Sequence, residues 1–307
     1  MAANSVTVGG IGVELSNAGK VFWPGDGITK GDLAEYYRDM AGRMLPYFRD
    51  RPVTMARYPD GIAGHRIVQK NVPDHFPGWV TRTEVRKEGG TLRHVLCDKP
   101  ATLVYLANQA CIEVHVFGSR TGRLDRPDQL VVDLDPPGSG GFGQARRCAL
   151  WLRRLLADEL GLACYIKTTG GHGLHVHVPL DGREDFDAVR AFARDAAGLL
   201  AARHPGDLTL EQRKDKRGGR VYADIMRNAY AQTVVAPYAV RARPGAPVAT
   251  PLHWDEVEDA RLAPGSFTIR TIAGRLDRVD DPWAGMSRRR YGLARPRRRL
   301  DGARADG

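Results

Sequence analysis

The 307-residue sequence is poor in cysteine, and Cys97, Cys111, Cys148 and Cys164 are scattered without a CxxC pair. That spacing argues against a zinc knuckle or a disulfide framework and marks reduced, mostly buried thiols. No run of about 18 apolar residues occurs, which excludes a membrane-spanning helix. Residues 1–10 have neither a basic start nor an apolar core, so no secretory signal is expected. Internal repeats are missing too. These absences together predict a cytoplasmic chain with no membrane partner. An acidic excess is also lacking: 46 Lys and Arg face 36 Asp and Glu, for a formal charge of +10 carried mostly by arginine. Such a balance favours a polyanionic partner, nucleic acid before an anionic membrane surface.

What is present begins with Leu130-Val131-Val132-Asp133-Leu134-Asp135-Pro136-Pro137, a short buried strand ending in a proline turn. Side chains alternate along a strand, so Val132 and Leu134 face one way and Asp133 and Asp135 the other. Upstream, Thr29 is a plausible N-cap for a helix from Lys30 to about Phe48, and residues 51–59 read as a strand closing in a Pro-Asp-Gly turn. Residues 60–100 are rich in turn formers and give no clear assignment, while 101–110 look helical. Cys111 to Val116 alternates and sets Glu113 and His115 on one face.

Downstream of the DxD strand comes a glycine-rich loop and an amphipathic helix, Gln144 to Leu160. Strand 163–168 follows, then a turn, Gly170-Gly171-His172-Gly173, then strand 174–178, a second amphipathic helix (185–204), a basic loop and strand 221–225. This β-α-β-β-α-β order is the split βαβ, ferredoxin-like unit, with the first and third strands central and the fourth beside the first. In phase, Val132, Leu134, Leu174, Val176, Val178, Val221, Ala223 and Ile225 fit the helix-covered face. Asp133, Asp135, His175, His177, Tyr222 and Asp224 fall on the other. Three carboxylates from adjacent strands on a basic protein fit two Mg²⁺ or Mn²⁺ ions clamping an in-line phosphoryl displacement. The glycine turn offers backbone N–H groups to phosphate. A His-rich transition-metal site of His172, His175 and His177 is a weaker alternative.

These motifs resemble the polymerase domain of bacterial ligase D, within the archaeo-eukaryotic primase superfamily. The matching stretches are Leu15 to Val21 with Thr29-Lys30, Arg51-Pro52 with Arg57 and Pro59, and Glu113 to Val116. They continue with Val132 to Pro136, Thr169-Gly170-Gly171 through His175, Arg217 through Asp224 with Asn228, and Ala236 through Arg241, Arg243 and Pro244. The resemblance implies an α+β, two-lobed primase-polymerase fold: an N-terminal α/β module (1–128), a ferredoxin/RRM-like βαββαβ catalytic lobe (129–250) and a helical extension (251–285). A basic, disordered tail is expected over 286–307. The implied activity is template-dependent nucleotidyl transfer from NTP or dNTP to a 3′-hydroxyl at gapped or broken DNA, favouring ribonucleotides, with Mn²⁺ or Mg²⁺ and with Ku and a separate DNA ligase as partners at the nucleoid. A stand-alone polymerase is expected.

By the same resemblance Asp133, Asp135 and Asp224 bind metal, and His115 is the catalytic-site histidine. Thr169, His175, Arg217 and Arg241 hold the incoming nucleotide, with Gly170, Gly171 and His172 in the phosphate turn. Lys20 and Lys30 grip the downstream 5′-phosphate, and Arg57 and Lys70 contact the DNA backbone. Two departures stand out. Ile67 and Val68 precede Gln69-Lys70 where the family carries phenylalanines, and an aliphatic wedge forgoes stacking of about 1–3 kcal/mol. His172 stands where relatives carry Lys or Arg. Two other classes compete: a phosphohydrolase with Asp133 as nucleophile, and a non-catalytic nucleic-acid-binding module. Against the module, the open face carries carboxylates where stacking aromatics would be expected.

Overall fold

The computed structural model describes residues 4–305 and divides into two units, each built on its own six-stranded sheet. One unit runs to Thr121 and adds Thr233–Ala249 and Phe267–Arg275. The other comprises Gly122–Gln232, Thr250–Ser266 and the chain from Leu276 onward.

In the first unit, Thr29 sets where the long helix Lys30–Phe48 begins. Its Oγ1 accepts the Asp32 N–H at 3.1 Å, and the Asp32 carboxylate accepts the Thr29 N–H at 2.8 Å. This reciprocal box satisfies donors that a helix start leaves open. Leu33, Tyr37, Met44 and Phe48 form the buried stripe of the helix at 0 % exposure. The Tyr37 hydroxyl donates to the Ile112 carbonyl at 2.7 Å and ties that stripe to the sheet. The sheet order is Thr233–Val235, Cys111–Phe117, Pro52–Arg57, Gly90–Leu96, Arg82–Lys87, with Ile67–Gln69 also on Pro52–Arg57. All of these pairings are antiparallel.

In the second unit the sheet order is Leu208–Thr209, Val221–Asp224, Gln129–Asp135, Leu174–Pro179, Tyr165–Thr168, Pro251–Leu252. Its inner four strands have the expected ferredoxin-like order, with the first and third central. Val132 pairs with Val176, and Leu134 with both Leu174 and Ala223. Helix Phe142–Arg153 continues through a wide turn, Arg154–Glu159, and with helix Phe186–Arg203 packs on this aliphatic face. Asp185 caps the second helix by accepting the Ala188 N–H at 2.9 Å.

Three boundaries differ from those expected. Residues 233–249 leave the 129–250 lobe, because Thr233–Val235 pairs antiparallel with Cys111–Phe117 in the first unit. Residues 251–285 are no separate helical extension: Pro251–Leu252 adds an edge strand to the second sheet, and Phe267–Arg275 belongs with the first unit. The expected disordered tail is, within the described residues, the helix Ala294–Ala305. Pro296 and the fully buried Leu300 form its apolar side, while Arg297 and Arg304 ion-pair with Asp195. Residues 306 and 307 of that tail lie outside the described range.

Candidate active site

The strand register of the second unit sets Asp133 directly opposite both His175 and Asp224, and Asp135 opposite Tyr222. Directly opposed residues share a sheet face, so three carboxylates come together on the side away from the aliphatic core. Asp133 and Asp224 are buried. Such a group needs compensation, and it comes from a residue that sequence reasoning missed. Arg227 holds its Nε 3.3 Å from Asp133 Oδ2 and 3.5 Å from Asp224 Oδ2. His175 Nε2 lies 3.3 Å from Asp133 Oδ2. Asp224 Oδ1 accepts the Met226 N–H at 2.7 Å and the Tyr222 hydroxyl at 3.4 Å. The signal for Arg227 was its place three residues beyond the third aspartate, in a turn with no periodicity to read.

Burial, and then the charges of Asp133 and Asp224, push the Asp135 carboxyl up to about 6 despite the opposing pull of Arg227 and Arg217. Burial and Asp224 likewise push Tyr222 up to about 12, which keeps it a hydroxyl donor. Arg217 lies over the Tyr222 ring, 4.2 Å from its centroid, and donates to the Glu211 and Gln212 carbonyls. Asn228 extends the ladder beyond strand Val221–Asp224. Its amide donates to the Val131 carbonyl at 2.6 Å and accepts the Val131 N–H at 2.8 Å.

Among the described residues no three His, Cys, Asp or Glu side chains stand arranged to hold an ion as they are. Arg227 and His175 lie against Asp133 Oδ2, and Arg227 and the Met226 N–H engage the two oxygens of Asp224. The donor set nonetheless fits a hard divalent cation, since all three are oxygen ligands, and burial together with the charges of the other two raises Asp135. His172, His175 and His177 form no three-ligand metal group, and His177 instead places Nδ1 3.1 Å from Gln129 Oε1.

The glycine turn is folded onto Thr169. Its Oγ1 accepts the N–H groups of Gly171 at 3.1 Å and Gly173 at 3.2 Å, and donates to the Gly173 carbonyl. Those two N–H groups are therefore directed into the turn. Gly170 adopts φ +61, which favours glycine. His172 is exposed.

The remaining predicted residues lie in the first unit. His115 Nε2 is 3.2 Å from Glu113 Oε2, and Arg241 Nε is 3.0 Å from Glu113 Oε1. Burial alone would raise Glu113, but the His115 hydrogen bond and the Arg241 charge outweigh it and hold the carboxyl well below its usual range. Burial lowers His115 against the opposing pull of Glu113, which favours the neutral ring; with Nε2 facing the carboxylate, the tautomer that suits this contact carries its proton on Nε2.

Lys20 and Lys30 are joined by a backbone bond from Lys30 N to Lys20 O at 2.8 Å. Lys30 is 6 % exposed and its ammonium meets only neutral acceptors, Ser16 Oγ and both oxygens of Asn108. Burial, then Lys20, lowers its pKa. Lys20 pairs with the exposed Asp60 at 2.8 Å. Arg57 donates to Gln109 O and Gln69 Oε1, both at 2.6 Å, and so braces the Ile67–Gln69 strand. There Ile67 and Val68 are exposed, at 40 % and 54 %, beside exposed Lys70.

A family profile described as "LigD, primase-polymerase domain" matches residues 29–283. The bifunctional non-homologous end joining protein LigD of Bacillus subtilis (strain 168) is 31 % identical over 272 residues, covering 88 % of this chain and 43 % of that protein. The multifunctional LigD of Pseudomonas aeruginosa is 32 % identical over 291 residues, covering 94 % of this chain and 34 % of that one. The chain thus spans between about a third and two fifths of the length of these relatives. Among solved structures, the polymerase domain of Mycobacterium tuberculosis ligase D in complex with DNA superposes with a TM-score of 0.84 at 32 % identity. That match covers 91 % of this chain and 99 % of the other.

Proposed function

Because the chain belongs to the LigD primase-polymerase domain family, we propose that it is a template-dependent nucleotidyltransferase extending 3′-hydroxyl ends at DNA breaks or gaps, with NTP or dNTP as substrate and ribonucleotides favoured. The observation that carries the reading is the register that sets Asp133 opposite Asp224, with Asp135 two residues along the same face. Mn²⁺ or Mg²⁺ held by Asp133, Asp135 and Asp224 would supply the charge neutralisation that phosphoryl transfer to a hydroxyl requires.

The protein's own side chains supply the rest. Arg227 and Arg217 border the carboxylate face and offer planar donors to a triphosphate. Thr169 fixes the turn shape, and His175 orients Asp133. His115, neutral and steered by Glu113, presents a ring nitrogen that can accept a proton. Arg241 keeps Glu113 ionised for that purpose. Lys30, whose buried ammonium has no carboxylate partner, forms with Lys20 a seat for a 5′-phosphate. Ile67 and Val68 act as an aliphatic wedge against a template base, with Lys70 on the backbone. End joining assigns Ku and a DNA ligase as partners at the nucleoid. No described helix is long and apolar enough to cross a membrane.

Primer extension on a gapped duplex, run with NTP or dNTP and with Mg²⁺ or Mn²⁺, tests the proposal. Asp133→Ala and Asp224→Ala should each remove extension while binding of the same duplex survives. Extension retained in either variant would sink the carboxylate mechanism.

A further inference from the structure

The segment from Met286 onward carries eight arginines against Asp301 and Asp306, which is six of the chain's ten net positive charges. The family match stops at residue 283, so this concentration lies outside the matched module. Its fold gives the charge a direction. Helix Ala294–Ala305 turns Pro296 and Leu300 inward, and Arg297 lies 5.1 Å from the Phe192 ring while pairing with Asp195. Arg304 takes the other Asp195 oxygen. On the opposite flank Arg295, Arg298 and Arg299 recur at helical spacing and are exposed. Arg288 and Arg290, on the segment leading into the helix, are exposed as well. Among the described residues none of these five is ion-paired, so they form a fixed, uncompensated basic surface.

We infer that this arginine face is a second polyanion surface that grips the phosphate backbone of duplex DNA away from the reacting end. Arginine forks match phosphate oxygens, and residues three and four apart on a helix stand about 5–6 Å from each other, within reach of successive phosphates. A bilayer fits less well, because the apolar residues of the helix are turned inward and leave no hydrophobic face to insert. The inference rests on the proposed function only for naming the polyanion as DNA.

The test uses the full chain carrying Arg295→Gln, Arg298→Gln and Arg299→Gln together. A charge-matched control carries Arg43→Gln, Arg49→Gln and Lys87→Gln, exposed positions elsewhere. Binding to a blunt duplex is measured against salt, with phosphatidylglycerol vesicles as a second probe and primer extension on a short gap alongside. The helix variant should bind DNA about ten-fold more weakly, and its salt slope should fall by about 2–3, near 0.9 for each phosphate no longer neutralised. The control should stay near wild type. Equal DNA affinity and slope in wild type and helix variant overturn the inference, and so does a loss confined to vesicles. If the helix variant shows the smaller slope but wild type extends no primer, the proposed activity falls and the surface stands. If primers are extended with equal slopes, the surface falls and the activity stands.

Discussion

Gly173→Ala concentrates much of the preceding reasoning in one methyl group. Gly173 lies where the glycine turn crosses the end of the DxD strand, and a Cβ there would stand 2.3 Å from the Leu134 carbonyl oxygen. Ordinary contact is about 3.5 Å, so one of two backbones must yield by about 1 Å. Neither is a flexible side-chain tip. Overpacking of this kind costs about 1–3 kcal/mol. The shift also loosens the Thr169 N–H bond to the Gly173 carbonyl and the Gly173 N–H bond to Thr169 Oγ1, each worth about 0.5–1.5 kcal/mol. Together these come to about 2–6 kcal/mol, which lowers the melting temperature by about 5–20 °C. Extension should fall with it, because Leu134 adjoins Asp135 and the turn carries Thr169. Gly198→Ala is the matched control. Its Cβ would meet nothing within 4 Å inside helix Phe186–Arg203, and it should stabilise by about 0.5–1 kcal/mol. A Gly173→Ala melt within about 1 °C of wild type would refute the close approach as the reason for glycine.

Lys20→Ala with Lys30→Ala should weaken binding of a 5′-phosphorylated gap about ten-fold more than of its hydroxyl-ended twin, as charge-assisted phosphate bonds exceed neutral ones; equal losses in a titration against both would point to general backbone contact. Glu113 is held below its usual range, and such a carboxyl contributes stability that is present above its unfolded value near 4.3 and lost as pH falls below it. Wild type should therefore lose melting temperature through that acid window more steeply than Glu113→Gln, and parallel curves would contradict the pairing with His115 and Arg241. Divalent ions should raise the melting temperature near pH 7.5 and less near pH 5.5, where Asp135, pushed up to about 6, is protonated. Asp224→Asn should lose that shift, and an undiminished shift in the variant would place the ion elsewhere.

The second unit was legible because each of its strands has one covered face, so period two carries both the aliphatic and the acidic sets. Asp133, Asp224 and His175 came into register from that alternation alone, and the expected strand order followed from βαββαβ. The hairpin Arg82–Lys87 with Gly90–Leu96 was illegible for the opposite reason. Its first strand reads Arg-Thr-Glu-Val-Arg-Lys and buries only Val85, so polarity hides the period. The return of Thr233–Val235 to the first sheet was hidden because three residues carry no partner preference, and pairing across so long a separation leaves no local trace. Counting arginines in the tail suggested disorder. Leu293, Pro296 and Leu300 at helical spacing, with Asp195 to receive two guanidinium groups, decide it the other way.

Arg227 shows why a site can be readable in outline and still lack its central counter-charge. Two carboxylates directly opposed across a sheet repel, and burial strengthens the repulsion. A chain that relied on a bound cation to relieve it would have to fold around unpaired charge. Arg227 supplies the relief from within, and its own guanidinium is raised by Asp133 and Asp224 against the opposing effect of burial. Asn228 then pins Val131, so the strand end bearing Asp133 and Asp135 is held whether or not a cation is bound. The two opposed carboxylates stay close together because an arginine three residues beyond strand Val221–Asp224 reaches both of them. Removing it with Arg227→Gln should therefore damage folding and chemistry together, whereas Arg217→Gln, whose guanidinium rests on Tyr222 and on carbonyls, should spare the melt and reduce nucleotide use. An Arg227→Gln protein that melts like wild type would mean that the opposed aspartates need no internal cation.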